Sequence, residues 1–348
     1  MKKKMRVMTE KPLNAETPIE NLRTWITDNA VFFKRNQGQF KDLSIELSDW
    51  KLSVAGLVKK KIGMTFEDII RLPKVEMADT LECSGNSRSL LKDKASGNPW
   101  TIGGVGNAVW GGVWLKDVLA LAGLKDDARH VSFEGLDKPL GKAGIKFIRS
   151  IPIDKAKSST LLAYEMNGEP LPLEHGYPLR ALALGWTGAN CVKWLHRIEV
   201  LDRPFEGFFM DKVYRVFQKG EESKTGEVVT DIQVKSIIVE PAKDQVLSAG
   251  IVPVRGAAYA GEAGIEKVEV SVDQGATWHP AKLIGIEQPY AWRHWEFLWD
   301  VNTGGDFTIM VRATDTNGRL QPETAHWNAL GYGNNGVREH AVTIRINA

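Results

Sequence analysis

Cys83 stands in the stretch TLECSGNSRS, residues 80–89, and is one of only two cysteines in 348 residues. Serine, glycine and asparagine surround it, and these are turn-forming residues. Glu82 precedes it and Arg88 follows five places on. Four kinds of chemistry fit a thiol in such a place. A buried structural thiol is the commonest role for a lone cysteine, although the polar turn argues against it. A nucleophile needs a base such as histidine, and none is near in sequence. A zinc site takes three or four protein ligands, often in close pairs, and no such set is visible. The fourth role is a single thiolate on a metal whose other ligands come from an organic dithiolene. Two more stretches bear on that last role. VFFKRNQG (31–38) puts Arg35 and Asn36 behind an aromatic pair, and LPLEHGYPLRALALGWTGANCVKWLHRIEV (171–200) sets His175, Arg180 and Lys193 among glycines. Glycine admits close backbone approach and the guanidinium fork matches phosphate, so this set suits a large polyanionic cofactor. Taken singly, each of these residues is better read as a surface charge.

Such residues need a scaffold, and 348 residues are too many for one ordinary core, so two domains are expected. The 43% hydrophobic and 25% charged content is globular, and a net charge of +2 implies no nucleic-acid partner. The run Lys2, Lys3, Lys4 reads as a solvated tail. Two cysteines make no disulfide framework, and nothing in the sequence supports an 83–191 bridge. No apolar run is long enough to insert in a membrane. IELSDWKLSVAGLV (45–58) alternates like a strand, TFEDIIRLP (65–73) reads as a capped short helix, and VWLKDVLALAGL (113–124) as a helix ending near Gly123. The spacing predicts mixed α and β structure to about residue 225, with polar FQKGEESKTGEVVTD (217–231) as a linker. Beyond it come short alternating runs, with VSVDQGATW as a hairpin, which argue for a β-sandwich of immunoglobulin type.

LECSGNSRS, the block LLAYEMNGEPLPLEHGYPLRALALGWTGANCVKWL, and the later VSVDQGATWHPAKL, YAWRHWEF and HWNALGYGNN together resemble the sulfite oxidase family of molybdopterin enzymes, from about residue 20 to the C-terminus. The resemblance implies an α+β chain. A mixed α/β molybdopterin-binding catalytic domain would span 1–225 and an all-β immunoglobulin-like dimerisation domain 226–348, giving a homodimer. It implies a molybdenum cofactor, with Cys83 as the metal's protein ligand. Cofactor contacts fall on Phe33, Lys34, Arg35, Asn36, Gln37, Asp137, His175, Arg180, Cys191, Val192 and Lys193, and Cys191 would offer backbone rather than thiol chemistry. The catalytic set would be Arg35, Cys83, Arg88, Tyr214 and Arg293, the last reaching in from the second domain. Three guanidiniums would bind the sulfite dianion, and the phenol would donate a hydrogen bond at the metal's oxygen during oxidation to sulfate. Tyr164 is the core aromatic by contrast.

Gln37 stands where the family commonly has histidine, and Ser87 where animal relatives carry a second arginine. Both changes make the expected pocket less positive. They leave open a reductase of nitrate or of an S- or N-oxide. No haem-attachment motif occurs, so electrons would pass to an external acceptor, cytochrome c by resemblance. The chain reads as cytoplasmic as written, or periplasmic if a leader has been removed. Cys83→Ser is expected to abolish turnover while the fold survives, as checked by activity together with circular dichroism.

Overall fold

The computed structural model describes residues 4–139 and 144–347. Lys2 and Lys3 lie outside the described residues, and Lys4 is exposed. Two five-stranded sheets organise the first part of the chain. One is wholly antiparallel. It runs Glu169–Pro170, Thr160–Met166, Val105–Trp114, Val75–Glu82, with Arg180–Ala183 also paired to Thr160–Met166. Its central strand Val105–Trp114 is covered on both faces, and Trp110 within it is fully buried. The other sheet is mixed, in the order Ile62–Met64, Leu52–Gly56, Leu195–Leu201, His130–Gly135, Ile148–Pro152. Its one parallel pairing joins Leu52–Gly56 to Leu195–Leu201. The helix Leu115–Ala122 seals this sheet by burying Leu115, Val118, Leu119 and Ala122 against Val54, Val131 and Ile198. That spacing places all four apolar side chains on one helical face.

Helices are fewer and shorter than an α+β reading predicts. They are Phe66–Ile70, Leu115–Ala122, Ile153–Ser158 and Phe208–Asp211 among the described residues. The capped helix forms as expected: Thr65 Oγ1 accepts from the Asp68 amide at 3.2 Å, and Asp68 Oδ2 accepts from the Thr65 amide at 2.9 Å. The expected strand at 45–58 shrinks to Leu52–Gly56, because the Trp50 amide donates to the Glu46 carbonyl and folds the preceding residues into a turn. Tyr164 packs in the core of the mixed sheet, edge-on to Phe66.

The later strands form one eight-stranded sheet that curls into a β-sandwich. Its order is Lys235–Glu240, Gly250–Tyr259, Arg293–Val301, His279–Ile284, Ile265–Ser271, Gly305–Asp315, Val342–Asn347, Val246–Ser248. Val254 and Trp295 face Val270, Val311 and Ile344 across a shared core. The expected VSVDQGATW hairpin forms, with Val270 opposite His279. The polar stretch 217–231 is tied down rather than free. Arg215–Val216 pairs with Glu227–Val228, and Arg215 donates to the carbonyls of Met210 and Gly226 at 2.6 Å each. This hairpin anchors Tyr214, whose carbonyl accepts from the Val229 amide at 2.9 Å.

Asp79 ties the antiparallel sheet to the loop after Arg180–Ala183, because its buried Oδ1 accepts from the Gly185 amide at 2.9 Å. Burial pushes its carboxyl up to about 7. The unfolded acid ionises near 3.8, so its contribution to stability is present below that value and is lost as pH rises through about 7. Asp79→Asn keeps the acceptor and cannot ionise. Relative to wild type, its Tm is expected to improve from pH 4 to about pH 7 and to level off above that in scanning calorimetry.

Candidate active site

The strand Val75–Glu82 delivers Cys83 to the mouth of a tight loop. The Cys83 amide donates to the Gly104 carbonyl and its carbonyl accepts from the Asn86 amide, both at 2.8 Å. Asn86 braces the turn, with its Oδ1 accepting from the Gly104 amide at 2.9 Å. The left-handed position is Ser87, at φ 67°, not the glycine. Gly85 serves close approach instead, since a Cβ there would lie 2.3 Å from an Arg88 guanidinium nitrogen. Burial pushes the Cys83 thiol up, while Arg35 and Arg88 nearby oppose that shift.

A cavity opens at Cys83. Phe33, Arg35, Asn36, Gln37, Asp137, His175, Arg180, Cys191, Lys193 and Tyr214 line it with Cys83. Residues from three distant stretches thus meet, as the sequence implied they must. Asn36 is fixed by its amide donating to Asn14 Oδ1 at 2.8 Å. Asp137 lies against Gly38, where a Cβ would come within 2.3 Å of its carboxylate. Arg180 donates to the His175 carbonyl at 2.8 Å, lies 4.8 Å from the Trp110 ring centroid, and leaves its buried Nε without a partner. Burial lowers the Arg180 guanidinium to about 10 and the His175 ring to about 3. It also drives Lys193 well below its ordinary value, with Arg180 adding to the effect. Asp137, raised to about 6 by burial, is the carboxyl that faces them in the cavity. Buried cations in excess of buried carboxylates call for an anion.

The far wall is aromatic. Gln37 Nε2 donates to the Tyr214 phenol oxygen at 2.7 Å. Tyr214 takes φ 58°, a costly backbone for a bulky residue and one that clusters at functional sites. Its ring stacks on Tyr332 with centroids 5.5 Å apart, and the Arg149 guanidinium lies 5.2 Å from its centroid. Arg88 lies 5.4 Å from the Tyr332 centroid and donates to the Leu330 and Asn98 carbonyls at 2.7 and 2.8 Å.

Four expected residues stand apart from the lining. Lys34 turns to Glu174, at 2.7 Å. Val192 packs into the core around Ile198. Arg88 is buried beside the cavity and acts on Cys83 through its charge. Arg293 does not reach the site. It opens the strand Arg293–Val301 and pairs with Glu287. What the second domain sets against Tyr214 is Tyr332, and a further guanidinium by the tyrosines is Arg149. Arg149 was legible only as a charge in the apolar strand FIRSI, which this fully buried arginine shares with Ile151. Cys83 and Cys191 are both free thiols, so no 83–191 bridge forms.

A family model for the oxidoreductase molybdopterin binding domain matches residues 38–209, and one for the Mo-co oxidoreductase dimerisation domain matches 226–346. The chain is 34% identical to the sulfite oxidase of Gallus gallus over 94% of its own length and 75% of that protein's. The chain belongs to the sulfite oxidase family. It is 35% identical to the mitochondrial sulfite oxidase of Homo sapiens, of which it spans 63% of the length. The structure superposes on the sulfane dehydrogenase SoxCD from Paracoccus pantotrophus with a TM-score of 0.84 and 28% identity, covering 98% of this chain and 89% of that one.

The family's molybdenum cofactor fits the residues present. Cys83 offers one soft thiolate, and Arg35, Arg180 and Lys193 offer cations that a phosphate-bearing pterin would neutralise, with the orphaned Arg180 Nε as a waiting donor. No group of three or more histidines, cysteines or carboxylates capable of holding a metal alone occurs among the described residues. Arg180→Met is expected to lower bound molybdenum per chain by about tenfold, as read by metal analysis of folded protein.

Proposed function

We propose that this chain oxidises sulfite to sulfate and passes the electrons to an external acceptor such as cytochrome c. The observation that carries the reading is that the Cys83 thiol and the Tyr214 phenol meet at one cavity lined by Arg35, with Arg88 near Cys83 and Arg149 packed against the Tyr214 ring. When bound, the molybdenum cofactor supplies oxygen-atom transfer and two-electron storage. The protein's part is to bind, orient and move protons. Arg35 would hold the dianion, and the buried charge of Arg88 beside the cavity would add to the attraction in a partly water-free wall. Gln37 occupies a lone pair of the Tyr214 oxygen, so the phenol O–H is free to donate into the cavity. Because an amide does not titrate, this support holds across pH where a histidine would change charge. The named substrates of the relatives, sulfite and sulfane sulfur, support a reduced sulfur substrate. In this reading residues 226–348 are an immunoglobulin-like domain that pairs two copies, a role supported by the dimerisation-domain match.

The test is steady-state sulfite oxidation with ferricyanide and with cytochrome c. Turnover with either is expected, and molybdenum-loaded protein inactive with both would overturn the proposal. Tyr214→Phe should lower kcat by about a hundredfold with the Michaelis constant little changed. Arg293→Ala, outside the cavity, should leave kcat/KM within about twofold.

A further inference from the structure

Behind the Cys83 loop, on the side away from the cavity, lies a buried polar cluster that the site above does not use. Glu82 precedes Cys83, and its Oε1 accepts from Asn86 Nδ2 at 2.9 Å, Tyr259 Oη at 2.9 Å and Lys235 Nζ at 3.0 Å. Lys235 Nζ also donates to the Ser87 hydroxyl at 3.0 Å. His340 Nε2 lies 2.8 Å from that hydroxyl, and His340 Nδ1 lies 2.7 Å from the Gly336 carbonyl. Asn334 Nδ2 donates to the Ser87 carbonyl at 2.7 Å. Lys235, Tyr259, Ser87, Asn334 and His340 are all buried.

The direction of each bond follows from donor chemistry. A carbonyl only accepts, so His340 Nδ1 carries its proton. The neutral ring then offers Nε2 as an acceptor for the Ser87 O–H, and the Ser87 oxygen accepts from Lys235. Lys235 is the branch point: it donates to Glu82, which also accepts from Tyr259, and to Ser87, which donates on to His340. Lys235, Tyr259, Asn334 and His340 all come from beyond residue 226, while Glu82 and Ser87 bracket the thiol. Both shoulders of the Cys83 loop are therefore gripped by the second domain. The grip also holds Ser87 in its left-handed conformation, at φ 67°. An arginine at 87 would have to displace Lys235 and His340, so serine here reflects packing and not a charge withdrawn from the substrate pocket.

A buried ion pair is seldom the most stabilising filling for its volume, and an apolar pair often does as well. What a buried pair does supply is one orientation. We propose that Lys235, paired with Glu82, is a positioning residue through which the second domain aims the Cys83 thiolate at the cavity. The proposal rests on the reading of Cys83 as the metal's ligand.

The test compares wild type with Lys235→Met and with the neutral pair Glu82→Gln/Lys235→Met, in which glutamine keeps the oxygen that Asn86 and Tyr259 need. Two readouts are independent of sulfite turnover. One is the rate of Cys83 alkylation by iodoacetamide in protein made without molybdate, read by peptide mapping so that Cys191 is scored separately. The other is the sulfur-to-molybdenum absorption band of the loaded protein. The neutral pair is expected to melt within a few degrees of wild type, yet to alkylate at Cys83 about tenfold differently and to show a shifted band. Should Lys235→Met fail to fold, the neutral pair carries the test alone. Wild-type alkylation rates and an unshifted band in the neutral pair would reduce the cluster to packing and overturn the proposal. If instead wild-type Cys83 alkylates as fast with molybdenum loaded as without it, the ligand reading itself falls, and the proposal with it.

Discussion

Positive charge held out of water is the constraint on which the site depends. Arg35, Arg180 and Lys193 line one buried cavity, with Asp137 as the carboxyl facing them. In a medium poorer than water at solvating ions, such an arrangement is costly until an anion enters. The neighbours limit that cost without cancelling it. Arg180 rests on Trp110, Lys193 on Trp194, and their hydrogens go to the His175 and Glu174 carbonyls and the Asn36 amide oxygen rather than to carboxylates. The same arrangement that destabilises the empty cavity favours a charged cofactor, so binding and folding are linked.

A second pattern concerns the partition of labour between the domains. The first supplies the thiol, the cations and Tyr214. The second supplies Tyr332 against Tyr214 and Arg88, the Leu330 carbonyl that fixes Arg88, and the grip of Lys235 and His340 on Ser87. Neither unit presents the loop alone. That makes the β-sandwich part of the active site's support as well as the region matched by a dimerisation model.

Local pattern made much of the scaffold legible. The Thr65 cap, the helix ending at Gly123 and the Val270–His279 hairpin all rest on short-range periodicity and turn chemistry. The failures were also local in origin. The 45–58 run alternates well but folds back at Trp50, and the lysine-rich 217–231 stretch looks unstructured while Arg215 ties it to two carbonyls. Alternation and composition do not record such backbone ties.

By itself the sequence determined the chemical inventory: one thiol in a polar turn, basic residues beside glycines, and an order of elements that brings them to one domain. Side-chain direction was decided only by tertiary structure. A long arginine points wherever its partners lie, and those can be far away in the chain; Arg88 answers to Leu330 and Arg293 to Glu287. Hence Arg293 stands outside the expected pocket, Arg149 and Tyr332 pack against the Tyr214 ring behind it, and Ser87 turns towards Lys235. Residue type is written in the chain, but the partner that orients it exists only once the two domains have packed.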